Sequence, residues 1–349
     1  MSAPRGWGYW SEAKLDILGS YLPAFVRASK RAGLTIYLDL FAGRIENFRK
    51  DTGSVLAGSS VRALRVTPPI DHLVFFELAA HASQLRASLE VQFPGRQFRV
   101  YEGDCNIRIG DALTDLSSYN WAPTFAFVDP DGLDVRWTTI EAVSSFKRSN
   151  KPKAELWLLV PTPAFPRMLG LRGEQGQRTA ELLTTFYGTD DWLAIHQRRL
   201  NNSYSAEEAR FQYVNLMRWR IEHVLGYRYT HYLELKNVSG STVYHMVFAS
   251  DHDTGNKIMR DVYASAARRI PAMRSEALEM RRQTRALDKG ALQLGLNLGT
   301  AEPSVDDVEL YQHVPPVTPP EFLENLDAPE RERSEFEEQV DNPWDGRAE

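Results

Sequence analysis

Two hydrophobic rhythms alternate along the chain. Between residues 11 and 31, Leu15, Leu18, Leu22 and Phe25 recur at helical spacing, predicting an amphipathic helix that Ser11 can cap. Apolar runs then follow at 34–40, 72–76, 98–101, 124–128 and 155–160. Helix-like segments separate them at 57–66, 79–93, 107–116 and 138–146. The runs lack strict polar alternation, the pattern of strands buried on both faces of a parallel sheet. Beyond Pro166 the pattern becomes helical at 178–186 and 206–225, and two strand-like runs follow at 227–235 and 242–249. The short Gly-containing link Asn237-Val-Ser-Gly-Ser241 joins these two runs as a β-hairpin. Final helices are expected at 254–268 and 272–286. The predicted architecture is a doubly wound, mostly parallel seven-stranded α/β sheet of Rossmann-like type over 33–250. A helical segment over 1–32 precedes it, a helical insertion at about 166–226 interrupts it, and helices over 251–289 follow.

Charge sets the last stretch apart. The chain carries a formal net charge of −5, but residues 301–349 hold 15 Asp or Glu against 3 Arg, leaving 31 acidic and 38 basic side chains in 1–300. That tail, with Pro315, Pro316, Pro319 and Pro320 and few aliphatic residues, buries too little apolar surface to offset its ordering entropy. Residues 290–349 are therefore expected to be disordered or to fold on a partner. Cys105 is the only cysteine, which excludes an intramolecular disulfide and a cysteine-rich metal site. No apolar run approaches the roughly 20 residues that span a bilayer, and no secretion signal opens the chain. A cytoplasmic protein with no metal and no membrane contact is expected.

In open α/β sheets ligands bind beyond the carboxyl ends of the strands, so the residues closing each run carry the chemistry. The first run closes on Asp39-Leu-Phe-Ala-Gly43, where a carboxylate can accept a ligand ammonium and glycine permits a tight turn. Glu77 closes the second run and can accept both hydroxyls of a ribose. Gly103-Asp104-Cys105 follows the third run; Asp104 can take an adenine amine, or cap the helix that begins there, or both. The fourth run ends in Asp129-Pro130-Asp-Gly132, and the proline restricts Asp129 to an extended backbone that holds its carboxylate at the sheet edge. Four such ends in succession point to an adenosine-bearing cationic ligand, S-adenosylmethionine. Phe41, Ala42, Gly43, Glu77, Gly103, Asp104 and Cys105 would line its site with Asp39, and Asp129 and Pro130 would face the methyl acceptor.

These residues also carry a family resemblance. The chain resembles the three-Cys-motif partner (TcmP) proteins of the class I methyltransferase superfamily, up to about Leu287. The resemblance runs through Trp10-Ser-Glu-Ala-Lys-Leu15, Asp39-Leu-Phe-Ala-Gly43, Gly58-Ser59, Phe75-Phe-Glu77, Gly103-Asp-Cys-Asn106 and Phe127-Val-Asp-Pro-Asp-Gly132. It continues through Trp137-Thr-Thr-Ile140 and Tyr244-His-Met-Val-Phe-Ala249 into Asp251-His252, Gly255 and Ile258-Met259. It implies a methyltransferase fold, an adenosylmethionine ligand and a partner protein bearing three cysteines at radical-enzyme-like spacing. Two departures stand out. Arg44-Ile45-Glu46 follows Gly43 where the family usually has a second glycine, so Arg44 either crowds the cofactor or reaches its carboxylate. Asp131 replaces an aromatic residue, removing a surface on which a base could stack.

Three functions fit this reading: an active methyltransferase, a non-catalytic methyltransferase-fold subunit that engages its partner, and another nucleotide-dependent enzyme such as a dehydrogenase. The last lacks a G-x-G-x-x-G fingerprint. Arg268, Arg269, Arg274, Arg281, Arg282 and Arg285 in the final helices form a candidate nucleic-acid surface.

Overall fold

The structure, a computed structural model, describes residues 6–50, 52–148, 151–163, 165 and 174–288. The acidic tail lies outside them.

A short strand β1 (Gly6–Trp7) leads into helix α1 (Tyr9–Ala28), and β2 (Ile36–Asp39) opens the main sheet. Strands β3 (Glu46–Arg49) and β4 (Val55–Ala57) and helix α2 (Ser59–Leu64) come next. The alternation continues through β5 (His72–Glu77), α3 (Ala79–Gln92), β6 (Arg99–Glu102), α4 (Cys105–Asp115), β7 (Thr124–Val128), α5 (Trp137–Ser145) and β8 (Glu155–Val160). Helices α6 (Glu174–Tyr187), α7 (Trp192–Leu200) and α8 (Ala206–His223) precede the hairpin of β9 (Tyr229–Lys236) and β10 (Thr242–Ser250), and α9 (Asp253–Asp288) closes the described chain.

The main sheet is seven-stranded and mixed, in the order β6-β5-β2-β7-β8-β10-β9. Its first five strands are mutually parallel, while β10 runs antiparallel to both β8 and β9. Helices cover both faces. One core cluster joins the sheet to α1, α2, α3 and α9, the other to α4 through α8. Double coverage explains why β2, β7 and β8 are buried at every position and read as continuous apolar runs. The strand order reverses direction between β2 and β7, where chain crossovers leave opposite faces and open a crevice at the strand tips. The hairpin turn is held by Asn237, whose Oδ1 accepts from the Ser239 and Ser241 amides at 2.9 and 3.1 Å.

Four elements differ from the sequence reading. Helix α1 starts at Tyr9 with Gly8 at its cap, so Ser11 lies inside the helix, buried. The final two helices are one, continuing through Pro271 because α9 packs along α1 and the hairpin on both sides of it. The hairpin β3–β4 and the helix α7 fall in segments without clear periodicity. With β1 the hairpin forms a separate three-stranded sheet beyond the tip of β2. Arg49 on β3 fastens it to the helices, with Nη1 2.8 Å from Glu12 of α1 and 3.6 Å from Glu276 of α9.

A buried acid pins the sheet to α1. Glu155 on β8 accepts from the Tyr21 hydroxyl at 2.6 Å and the Ser250 hydroxyl at 2.8 Å. Burial pushes its carboxyl up to about 7, against those two hydrogen bonds. Among the described residues no helix is long and apolar enough to cross a membrane, and no group of three or more His, Cys, Asp or Glu could hold a metal ion.

Candidate functional site at the strand tips

Register brings the predicted strand ends together. Asp39 pairs with Phe75 of β5 and Phe127 of β7, so it stands between them in the sheet. Backbone bonds stitch the loops beyond: the Leu40 amide to the Phe127 carbonyl at 3.0 Å, Ala42 to Phe76 at 3.0 Å, and Gly103 to Glu77 at 2.9 Å. The turn at Gly43 has a φ of 62°, and a side-chain carbon there would meet nothing nearer than the Phe41 carbonyl at 3.9 Å. Gly43 itself is exposed at the surface. At Gly58 the opposite holds: a Cβ would sit 2.3 Å from the Arg44 carbonyl, so only glycine lets α2 begin against that loop.

The inner acids face the protein. Asp39 is fully buried; its Oδ2 accepts from the Tyr37 hydroxyl at 3.1 Å and its Oδ1 from the Phe41 amide at 3.4 Å. Burial raises its carboxyl to about 7; hydrogen bonds from Ser59 and Tyr37 oppose this and the nearby Asp129 charge adds to it. Asp39 therefore braces the glycine loop and contributes its field, with no surface of its own for a ligand. Asp129 forms an ion pair with Lys14 of α1, the two side chains 13% and 6% exposed. The Lys14 ammonium lies 5.1 Å from the Tyr244 ring centroid and 5.8 Å from that of Trp7, within cation–π reach of both. Pro130 is buried.

The outer acids face solvent. Glu77 is half-buried and its Oε1 accepts from the following Leu78 amide at 2.9 Å. Asp104 caps α4, with Oδ1 accepting from the Asn106 amide at 2.9 Å and its Nδ2 at 2.8 Å. Asn106 in turn ties this loop to the one after β7, donating to the Asp134 carbonyl at 2.7 Å and accepting from the Arg136 amide at 2.8 Å. Gly103 has a φ of 117°, a conformation that favours glycine. Cys105 turns its thiol into the core, where burial pushes it up to about 12, so only its backbone faces the loop. Asp134 is raised by burial and by neighbouring Asp131 and Asp104, marking an acidic rim suited to a cation.

Comparison of the chain with family models, curated proteins and solved structures returns no match. The site therefore rests on its own geometry.

Three residues at the site escaped the sequence reading of roles. Leu78 and Ile107 are 60% and 71% exposed, large apolar side chains, the first directly after Glu77 and the second in the first turn of α4. Leu78 carried a signal, an apolar residue directly after the polar strand end Glu77, whereas Ile107, five positions beyond Glu102, carried none. Lys14 falls one helical turn from Trp10 and Leu18 on an otherwise apolar face, and a lone cation in such a stripe calls for a buried partner.

Proposed function

We propose that the protein is an S-adenosylmethionine-dependent methyltransferase of the class I fold that works with a partner protein. One observation carries the reading: an open turn at Gly43 beside half-exposed Glu77 and the Gly103–Asp104 loop, with Leu78 and Ile107 offering apolar surface alongside. The order of the mixed sheet, five parallel strands followed by a hairpin with one antiparallel strand, supports the fold assignment. The residues fit the ligand. Glu77 accepts the ribose hydroxyls, the two apolar side chains hold the adenine, and the acidic rim favours a sulfonium cation over a pyrophosphate. When bound, the ligand supplies an electrophilic methyl group. The chain's own part is to seat the adenosine at the outer tips, keep Asp39 behind the loop as a buried brace, and hold Asp129 at the acceptor side. Because Lys14 occupies Asp129, an arriving acceptor meets an ammonium donor there unless it displaces that ammonium.

Isothermal titration of the full chain with S-adenosylmethionine, S-adenosylhomocysteine and NAD tests the ligand. Binding of the first two without NAD is expected; binding of NAD alone would overturn the reading. A second reading, a non-catalytic subunit that keeps the ligand and engages a three-cysteine partner, is favoured by the internal engagement of Asp39 and Asp129. Ligand binding with no methyl transfer to nucleic acid, small metabolites or a co-purified partner would select it.

A further inference from the structure

We propose a second ligand site, for a phosphate group, at the opposite end of the sheet. There a concavity of about 510 Å³ is lined by Lys147, Arg148, Lys151 and Lys153, with Glu141 as the only acid. Lys147 and Arg148 follow α5, while Lys151 and Lys153 lead into β8, so the concavity opens at the amino ends of the strands, away from Gly43 and Glu77. Val224 and Leu225, just after α8, add an apolar wall.

The four cations are unequally committed. Lys153 is paired, its Nζ 3.1 Å from Asp251 and donating to the Gly226 carbonyl at 2.9 Å. Lys147 donates to the Ala122 carbonyl, a neutral partner. Arg148 uses Nε on Asn120 at 2.7 Å, which leaves the rest of its guanidinium fork. Lys151 has no side-chain hydrogen bond or ion pair among the described residues. The single acid is engaged as well, since Glu141 accepts the Trp137 indole N–H at 2.6 Å. Four cations are thus gathered around one hollow against two carboxylates, Glu141 in its lining and Asp251 on Lys153, which leaves an excess of positive charge. Burial, with repulsion from Lys151 behind it, lowers the Lys147 ammonium to about 8.

Concave walls focus the field of such a cluster, and an anion relieves the crowding. A phosphate suits it better than a carboxylate. It offers enough oxygens to meet an arginine fork and two ammonium groups together, and the volume admits a nucleotide-sized ligand. The final helix makes a weaker candidate for this chemistry, because several of its arginines already have partners. Arg269 pairs with Asp16 at 3.4 Å, Arg282 with Glu279 at 3.8 Å, and Arg274 donates to the Val238 carbonyl at 3.3 Å.

The phosphate can belong to a small molecule or to a nucleic-acid strand, and two probes separate these. The full chain is titrated at low salt with sodium pyrophosphate and with a short single-stranded oligonucleotide, alongside an Arg148→Ser/Lys151→Ser variant that alters two exposed side chains. The variant is expected to bind about tenfold more weakly to whichever probe the wild type holds. If that probe is the oligonucleotide, the slope of log affinity against log salt should fall by about 0.7 per lost phosphate contact. Pyrophosphate binding supports a small-molecule source, and oligonucleotide binding alone supports a strand. Failure of the wild type to bind either probe, or equal affinities in wild type and variant, would overturn the proposal.

Discussion

Asp39 and Asp129 close the central strands, Glu77 and Asp104 the outer ones, and the two pairs behave oppositely. The central acids sit where helices press on both faces. They are withdrawn from water and satisfied internally, Asp39 by Tyr37 and the loop it braces, Asp129 by Lys14. The outer acids lie toward the edge strand β6, half-buried, with local backbone partners that leave them at the surface. An acid at a strand end is therefore two different devices. In the middle of the sheet it fixes a loop or pairs with a helix; toward the edge it is presented to solvent.

The largest expected effect tests the central pair. Lys14→Met leaves Asp129 buried without its counter-ion, and the stability measured by chemical denaturation should fall by about 3–5 kcal/mol. Adding Asp129→Asn to that variant should recover most of the loss. A fall under about 1 kcal/mol would place the pair among weak surface contacts instead.

Next comes the pH response of Asp39. Its folded carboxyl titrates near 7 against an ordinary value of 3.8, so the folded state holds the proton more tightly than the unfolded chain. Its stabilising contribution is complete below about pH 4 and is lost as pH rises through 7. Asp39→Asn removes that loss. Between pH 5 and pH 8 the variant should gain on the order of 2 kcal/mol relative to wild type, by denaturation at each pH. Glu155→Gln should shift the same way, since its carboxyl also lies near 7. Parallel pH profiles for wild type and Asp39→Asn would remove the buried acid from the account.

The smallest effect on stability belongs to the outer pair. Asp104→Ala deletes the cap of α4 and should cost about 1 kcal/mol in thermal or chemical unfolding. No loss would mean that Asn106 alone holds the loop.

Much of this arrangement was legible in the sequence, because burial on both faces writes itself as continuous apolar runs and each run ends at a polar residue. The parallel strands and the hairpin fall close to their predicted places for that reason. What stayed hidden depends on partners distant in the chain. Nothing local to Asp129 announces Lys14, 115 positions away. The β3–β4 hairpin has strands too short for a readable period, and its tie through Arg49 to Glu12 and Glu276 is wholly tertiary. Pro271 reads as a helix break, yet packing along α1 holds α9 together where a local rule predicts an end. The depth of Asp39 was also invisible, since the same motif could equally have met solvent.

The contrast between inner and outer acids rests most directly on one titration, S-adenosylhomocysteine into wild type and into Glu77→Ala. The account predicts that the substitution weakens binding by roughly 1.5–3 kcal/mol, the scale of lost charge-assisted hydrogen bonds, while the unfolding midpoint stays put. An unchanged dissociation constant in Glu77→Ala would contradict it.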